Sequence, residues 1–267
     1  MKWRGRGVTM LQVERMSLIL AELNANGRVT VNGLAERLMV SKVTIRRDLE
    51  LLNQENKLLI VHGGAIKPNF RLYEAPFNQR HDINIDEKKQ VGKKAAEYIQ
   101  DYDVIAFGVG TTTLQIAKHL HNKHNLTIIV GCVSILNQLI ERKKSGFFTG
   151  RIIFLGGEID TDQMFATGTA MMDMLDKLNI DKAFIGANGY SIINGITTYH
   201  IDEGNFLKRM ILRSSEVFLV VDHTKIEAKS MYKYTEFNDV NHVICDSEPP
   251  SDWINQLESE GVQWIKA

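Results

Sequence analysis

The sequence predicts a two-part chain: a small, α-rich winged helix-turn-helix domain, then an α/β domain on a mostly parallel sheet. Three observations predict it. Residues 1–71 carry short amphipathic helical segments that end in a Gly-Gly turn. Residues 67–85 lose that periodicity. From residue 86 onward, short all-apolar runs alternate with helical periods, the pattern of strands buried on both faces.

In the first part, Leu11, Ile19, Leu20 and Leu23 lie near one face of a helix that stops around Asn24–Gly27. Residues 28–31 extend briefly. A second helix, about Asn32–Met39, buries Leu34, Ala35 and Leu38. After a short turn, a third helix spans Ser41–Leu52. Ser41 can cap it by accepting a bond from a free backbone N–H. Val43, Ile45, Leu49 and Leu52 supply its expected buried stripe. Residues 58–61 read as a strand, and His62-Gly63-Gly64 as a tight turn. Helix, helix, turn, helix, hairpin is the winged helix-turn-helix order. The expected boundaries are 10–67 for this domain, 68–85 for a linker or packed arm, and 86–267 for the α/β domain.

In the α/β part, helices are expected near 86–100, 111–120, 133–142, 168–178 and 202–214. Strands are expected at 104–107, 126–130, 152–155, 183–185, 217–221, 243–245 and 262–265.

Composition narrows the function classes. The 267 residues hold 32 Lys+Arg and 32 Asp+Glu, a formal net charge of zero. That balance hides an asymmetry: residues 1–71 hold 12 Lys+Arg against 6 Asp+Glu, a net of +6. The remainder, 20 against 26, nets −6. A basic head suggests a polyanionic partner. No apolar run approaches the roughly 20 residues that span a bilayer. The basic start lacks the apolar core of an export signal, so a cytoplasmic protein with no membrane partner is expected. Cys132 and Cys245 lie in apolar runs and read as reduced core residues. No His/Cys cluster has metal-ligand spacing; neither metal nor cofactor is expected.

The third helix has the make-up of a DNA reader. Ser41, Lys42, Thr44, Arg46 and Arg47 sit in its N-terminal half, the part that enters a major groove. Arginine suits bidentate contact with guanine; Ser, Thr and Lys suit phosphate or base edges. His62, Gly63, Gly64 and Lys67 would form a wing whose backbone amides approach phosphate closely. Arg46-Arg47-Asp48 alone would fit an ordinary solvated helix face. The turn before it and the Gly-Gly hairpin after it favour the reader.

In the second part, Gly108-Val109-Gly110-Thr111-Thr112-Thr113 follows a strand and opens a helix. Free N–H groups at a helix start favour an anion. The loop is neither GxGxxG nor Walker A, because Thr113 stands at the third glycine position and no Gly-Lys-Ser/Thr follows. A small phosphate ester fits better than a nucleotide. By spacing alone, a plain strand-to-helix turn fits as well. Gly156, Gly157, Asn188, Thr197, Glu203, Asp222 and Lys225 lie in expected loops, several directly after strands, and can face one crevice.

Arg15, the Leu18/Leu34/Leu38 frame, Val40-Ser41-x-x-Thr44-Ile45-Arg46-Arg47-Asp48-Leu49 and His62-Gly63-Gly64-Ala65 resemble the N-terminal signature of the DeoR family of bacterial regulators. Residues 86–246 resemble that family's sensor domain, similar in fold to ribose-5-phosphate isomerase. This second match rests on Gly110-Thr111-Thr112, Gly156-Gly157-Glu158, Gly186–Gly189, Gly195–Thr198 and Asp222-x-x-Lys225. The resemblance implies operator binding, and a sugar phosphate held by Gly110, Thr111 and Thr112 with Asp222 and Lys225 at the sugar end. The family often has Asp where Gly108 and Asn188 stand, and Thr-Asn where Gly131-Cys132 stand.

The expectation is therefore a repressor of a carbohydrate operon, controlled by a phosphorylated sugar and acting on double-stranded DNA as a homo-oligomer, dimer or tetramer. The alternatives are an isomerase-like enzyme with a DNA-binding appendage, with Glu203, Asp222 and Lys225 as its acid–base candidates, and a DNA-bound scaffold that only oligomerises.

Overall fold

A computed structural model describes residues 11–55, 57–61, 63–67 and 74–267. The chain divides into two compact units that meet in sequence at Ala75 and Pro76.

The first unit orders α1 (Gln12–Asn26), β1 (Arg28–Thr30), α2 (Val31–Arg37), α3 (Lys42–Gln54), β2 (Leu59–Val61) and β3 (Gly64–Ile66). α1 ends at Gly27, whose left-handed φ of 71° lets its N–H return to Leu23 O. Thr30 caps α2 by accepting from Gly33 N at 3.1 Å. The three strands form an antiparallel sheet in the order β1-β3-β2. A side chain at Gly64 would meet Val29 O at 2.0 Å, so only glycine permits the β1–β3 pairing there. Ile19, Leu23, Leu34, Ile45, Leu49, Leu52, Leu58 and Ala65 form the core.

Three expected core positions prove to be surface ones. Leu11 is the N-cap of α1 and lies exposed, and Leu18 is 44% exposed. Val43, in the first turn of α3, is 72% exposed, because the apolar stripe of that helix begins only at Ile45.

The second unit continues with α4 (Phe77–Arg80), α5 (Ile85–Glu97), β4 (Val104–Phe107), α6 (Thr111–His119), β5 (Lys123–Val130), α7 (Val133–Lys144), β6 (Phe148–Phe154), β7 (Glu158–Asp160), β8 (Phe165–Thr167) and α8 (Thr169–Leu175). It ends with β9 (Ile180–Ile185), β10 (Gly189–Ser191), β11 (Gly195–Thr198), α9 (Ile201–Leu212), β12 (Ser214–Val220), β13 (Tyr232–Thr235), β14 (His242–Cys245), α10 (Ile254–Glu260) and β15 (Gln263–Lys266). Seven parallel strands form the main sheet, in the order β15-β14-β12-β9-β4-β5-β6. From β4 the chain steps outward to β5 and β6. From β9 it steps outward the other way, to β12, β14 and β15. The strand order therefore reverses between β4 and β9, the position at which open parallel sheets form a crevice beyond their carboxyl ends.

A small antiparallel sheet, β10-β11-β13, and the β7–β8 hairpin complete the unit. Phe77 is buried in the core of this unit, so the chain beyond Pro76 is packed structure. Cys132 and Cys245 are both free and buried. Among the described residues, no helix is long and apolar enough to cross a membrane.

Candidate functional site

The exposed face of α3 is set by what its buried face does. Ser41 Oγ accepts from Thr44 N at 3.1 Å and lies 2.8 Å from Thr44 Oγ1, which fixes the first turn. Ile45, Leu49 and Leu52 bury one side. Asp48 is buried with them and takes a two-point bond from Arg15 of α1, with Nη2 donating to Oδ1 at 2.9 Å and Nε to Oδ2. Gln12 Nε2 donates to the same carboxylate at 3.2 Å. With those positions committed inward, Lys42, Arg46 and Arg47 lie exposed and Thr44 is half-buried. Val43 joins this outer face, as an apolar group among cations.

Gly63 has a left-handed φ of 77° and opens β3 beside Gly64. His62 lies outside the described residues. Lys67 donates its ammonium to Asn24 O at 2.8 Å, near the carboxyl end of α1.

In the second unit, Gly108-Val109-Gly110 leaves β4 at the strand-order reversal, and Gly108 N bonds across to Phe184 O of β9 at 2.8 Å. Gly110 sits at φ 153°, ψ 155°, the glycine-favoured turn that opens α6. Thr113 turns its hydroxyl back to Gly110 O at 2.9 Å. No side-chain hydrogen bond caps α6, so the N–H groups of its first turn, at the positive end of the helix dipole, take no side-chain cap. Thr111 is buried and Thr112 half-buried beside them.

After β9, Asn188 takes Thr198 Oγ1 at 3.0 Å, and Thr198 lies 3.2 Å from Glu203 Oε2 on α9. After β12, Asp222 caps the single turn His223–Lys225 through Thr224 N at 3.1 Å. Asn84 Nδ2 reaches the same Asp222 oxygen at 3.4 Å.

The description "DeoR-like helix-turn-helix domain" matches residues 15–69, and "DeoR C terminal sensor domain" matches residues 83–247. The HTH-type transcriptional repressor GlcR of Bacillus subtilis (strain 168) is 32% identical over 96% of this chain and 96% of its own. The chain belongs to the DeoR family. The lactose phosphotransferase system repressor of Staphylococcus aureus (strain NCTC 8325 / PS 47) is also 32% identical, over 88% of this chain and 92% of its own. A ribose 5-phosphate isomerase A from Methanocaldococcus jannaschii aligns at 18% identity and TM-score 0.39 over 54% of this chain and 55% of that one, too weakly to carry an argument. Both matched domains are parts of regulators and the relatives are named as repressors. This DeoR-family chain is a regulator and not an enzyme.

Not every residue singled out in the sequence reaches the crevice. Thr197 and Thr198 are not in a loop but in β11, both fully buried. Thr197 spends its hydroxyl within the fold, donating to Gly189 O at 2.9 Å and accepting from Ser230 N at 3.0 Å. Gly156 and Gly157 follow β6, the edge strand. At about 4.8 Å per strand, four intervals put them about 19 Å from the loop after β12. A single sugar phosphate cannot touch both. Gly157 instead lies against Thr167 O, where a Cβ would approach to 2.0 Å, so it serves the β7–β8 hairpin.

Gly108 and Gly131 are closely covered by neighbours. A Cβ at Gly108 would meet Leu207 Cδ2 at 2.7 Å, and one at Gly131 would meet Met171 Cε at 2.4 Å. Apolar bulk from α9 and α8 occupies the space that larger residues would need.

Electrostatics mark two groups that sequence reading missed. Burial alone would raise the Asp222 carboxyl, but Lys225, the Thr224 hydroxyl and Lys88 outweigh it and hold the group below the usual range. Lys88 is itself buried on α5, donating to Arg80 O at 2.7 Å. Arg80 donates to Gln163 at 2.6 Å. Burial pushes the Cys132 thiol up to about 11, with smaller opposed contributions from Glu203 and Arg80. Asn84 and Lys88 thus act on Asp222, and Arg80 on Cys132. They fall in or just after a Pro- and aromatic-punctuated stretch whose sequence has no periodicity to flag them.

Proposed function

We propose that this protein is an operator-binding repressor of a carbohydrate operon whose hold on DNA is set by a phosphorylated sugar bound over the carboxyl edge of the seven-stranded sheet. The observation that supports the effector half is that the Gly110–Thr112 turn follows β4 at the β4/β9 reversal, where open parallel sheets form a crevice, and that α6 has no side-chain cap. Gly110, Thr111 and Thr112 take the phosphate. Asn188, Glu203, Asp222 and Lys225 line the hydroxyl-bearing end. Ser41, Lys42, Thr44, Arg46 and Arg47, with the wing at His62, Gly63 and Gly64, take the DNA. The names of the repressors that resemble this chain, one of them a lactose phosphotransferase system repressor, support the sugar class.

One winged helix reads few base pairs, and two-fold operators are the usual remedy, so the protein acts as a homo-oligomer, in the cytoplasm. A thermal-shift screen of the full chain with pentose and hexose phosphates tests the effector. At least one phosphorylated sugar is expected to raise the melting temperature while its unphosphorylated form does not. No shift with any of them, or equal shifts with and without phosphate, contradicts the reading.

A further inference from the structure

The outward face of α3 carries one residue that hydrogen bonding to DNA leaves unused. A helix turns about 100° per residue. With Val43 as zero, the buried residues Ile45, Asp48, Leu49 and Leu52 point to about 200°, 140°, 240° and 180°, so the docked side is centred near about 190°. Val43 lies almost opposite that centre and is 72% exposed. Arg47 stands one turn later at about 40° and Arg46 at about −60°, both exposed. Glu50 shares the line but lies about 10 Å further along the axis. Val43 therefore occupies the middle of the reading face, between the two arginines, in the N-terminal turn that enters a major groove.

Its isopropyl group is held still. Ser41 Oγ accepts from Thr44 N at 3.1 Å and lies 2.8 Å from Thr44 Oγ1, which closes the first turn on either side of Val43. A valine in a helix keeps essentially one χ1 rotamer, so little side-chain freedom is left to lose on binding. Folding does not call for a valine here: the residue lies outside the core of the first unit, and β-branching makes it a poorer helix former than alanine. Base edges in the major groove offer donors, acceptors and a single apolar group, the C5 methyl of thymine. An isopropyl group set against a donor or an acceptor would displace water from it and return no hydrogen bond. Of the groups in the groove, the thymine methyl alone gains from that contact.

We propose that Val43 is a specificity-determining residue, which selects a thymine in the operator half-site by packing its isopropyl group against the C5 methyl. The proposal rests on the reading that α3 enters the major groove, and adds one base that it selects and the atom by which it does so.

Duplexes selected from a random pool by the full wild-type chain supply the probe. In one half-site, thymines are replaced one at a time by deoxyuridine, which removes the methyl and keeps every hydrogen bond. Anisotropy titrations of wild type and Val43→Ala on each duplex close a double-mutant cycle. Val43 is exposed, and unchanged melting of the variant checks the fold. At one thymine of the half-site, loss of the methyl should weaken wild-type binding about four-fold, the effect of one buried methyl-sized group. Val43→Ala should bind the thymine duplex at least about four-fold more weakly and respond to that methyl by no more than about two-fold. Wild-type binding that ignores every methyl overturns the proposal. A methyl effect of the same size in Val43→Ala assigns the methyl to another side chain and overturns it too. So does a loss in Val43→Ala that is equal at every position with and without the methyl while wild type keeps none. In each of these cases, lost affinity of Arg46→Ala or Arg47→Ala for the same duplexes keeps α3 in the groove, whereas unchanged affinity of both removes the reading beneath the proposal.

Discussion

Arg15 on α1 and Asp48 on α3 form a two-point ion pair closed off from solvent, with the carboxylate 1% exposed and Arg15 7%. The pair ties the reading helix to the first helix. It sits one residue after Arg46-Arg47 and so fixes the rotation at which those arginines leave the helix. Removing one partner of a buried pair strands the other charge. Asp48→Ala should therefore cost on the order of 3 kcal/mol. Chemical denaturation of the full chain, followed by a probe in the first unit, measures it. A change under about 1 kcal/mol, as for an exposed pair, would contradict the account.

Two kinds of contact should separate on α3. If Arg46 or Arg47 reads a base edge, its alanine variant loses about 1–3 kcal/mol and relaxes preference at one operator position. Lys42, at the helix start beside the Ser41 cap, should act on phosphate. Lys42→Ala should weaken all sequences alike and reduce the salt slope by about 1. Anisotropy titrations on operator and scrambled duplexes across salt concentrations distinguish them. Unchanged affinity for all three variants would remove α3 from the interface.

In the sensor crevice, Lys225 lies within electrostatic reach of Asp222 and at the proposed sugar end. Lys225→Ala should weaken effector binding at least ten-fold while leaving effector-free operator affinity unchanged. Calorimetry with the sugar phosphate found by screening, paired with a gel-shift on the operator, reads both. Thr197→Val makes the contrast: its hydroxyl bonds Gly189 and Ser230, so its loss should lower melting temperature first.

His223, next to Asp222, hydrogen-bonds Asp246 through Nδ1 at 2.6 Å and through its backbone N–H at 2.7 Å. The side-chain bond to Asp246 raises the imidazole above its usual 6.5, helped by the charges of Asp246, Asp222 and Glu87 against partial burial. A raised folded value means the pair's contribution is full below about pH 6.5 and fades as pH rises through the folded value. The imidazole is half-exposed, so the effect is small. NMR titration should give a midpoint above 6.5, and Asp246→Asn should move it down. A His223 midpoint at 6.5 in both proteins would contradict the pair.

Much of this was legible in the residues. Ser41 as a cap, Gly27 as a stop and the Ile45/Leu49/Leu52 stripe are local signals, and they place the reading helix within two residues. The parallel strands were legible as all-apolar runs, though β5 and β6 extend several residues earlier, through polar positions that pairing tolerates. What was not legible depends on tertiary neighbours. Val43 looks like core by composition, but the helix phase is set by Asp48, whose burial needs Arg15 from 33 residues away. Thr197 and Thr198 resembled a polar loop because the strand they form has its partners in β10 and β13. Arg80 and Lys88 act on Cys132 and Asp222, partners far away in sequence.

The central claim is that effector and operator share one equilibrium, and linkage tests it most directly. The affinity of the full chain for its sugar phosphate should be measured by calorimetry with and without saturating operator duplex, and its operator affinity with and without saturating effector. The account predicts a change by the same factor in both directions, with operator weakening the effector as effector weakens the operator. Equal effector affinity in the presence and absence of operator would contradict it.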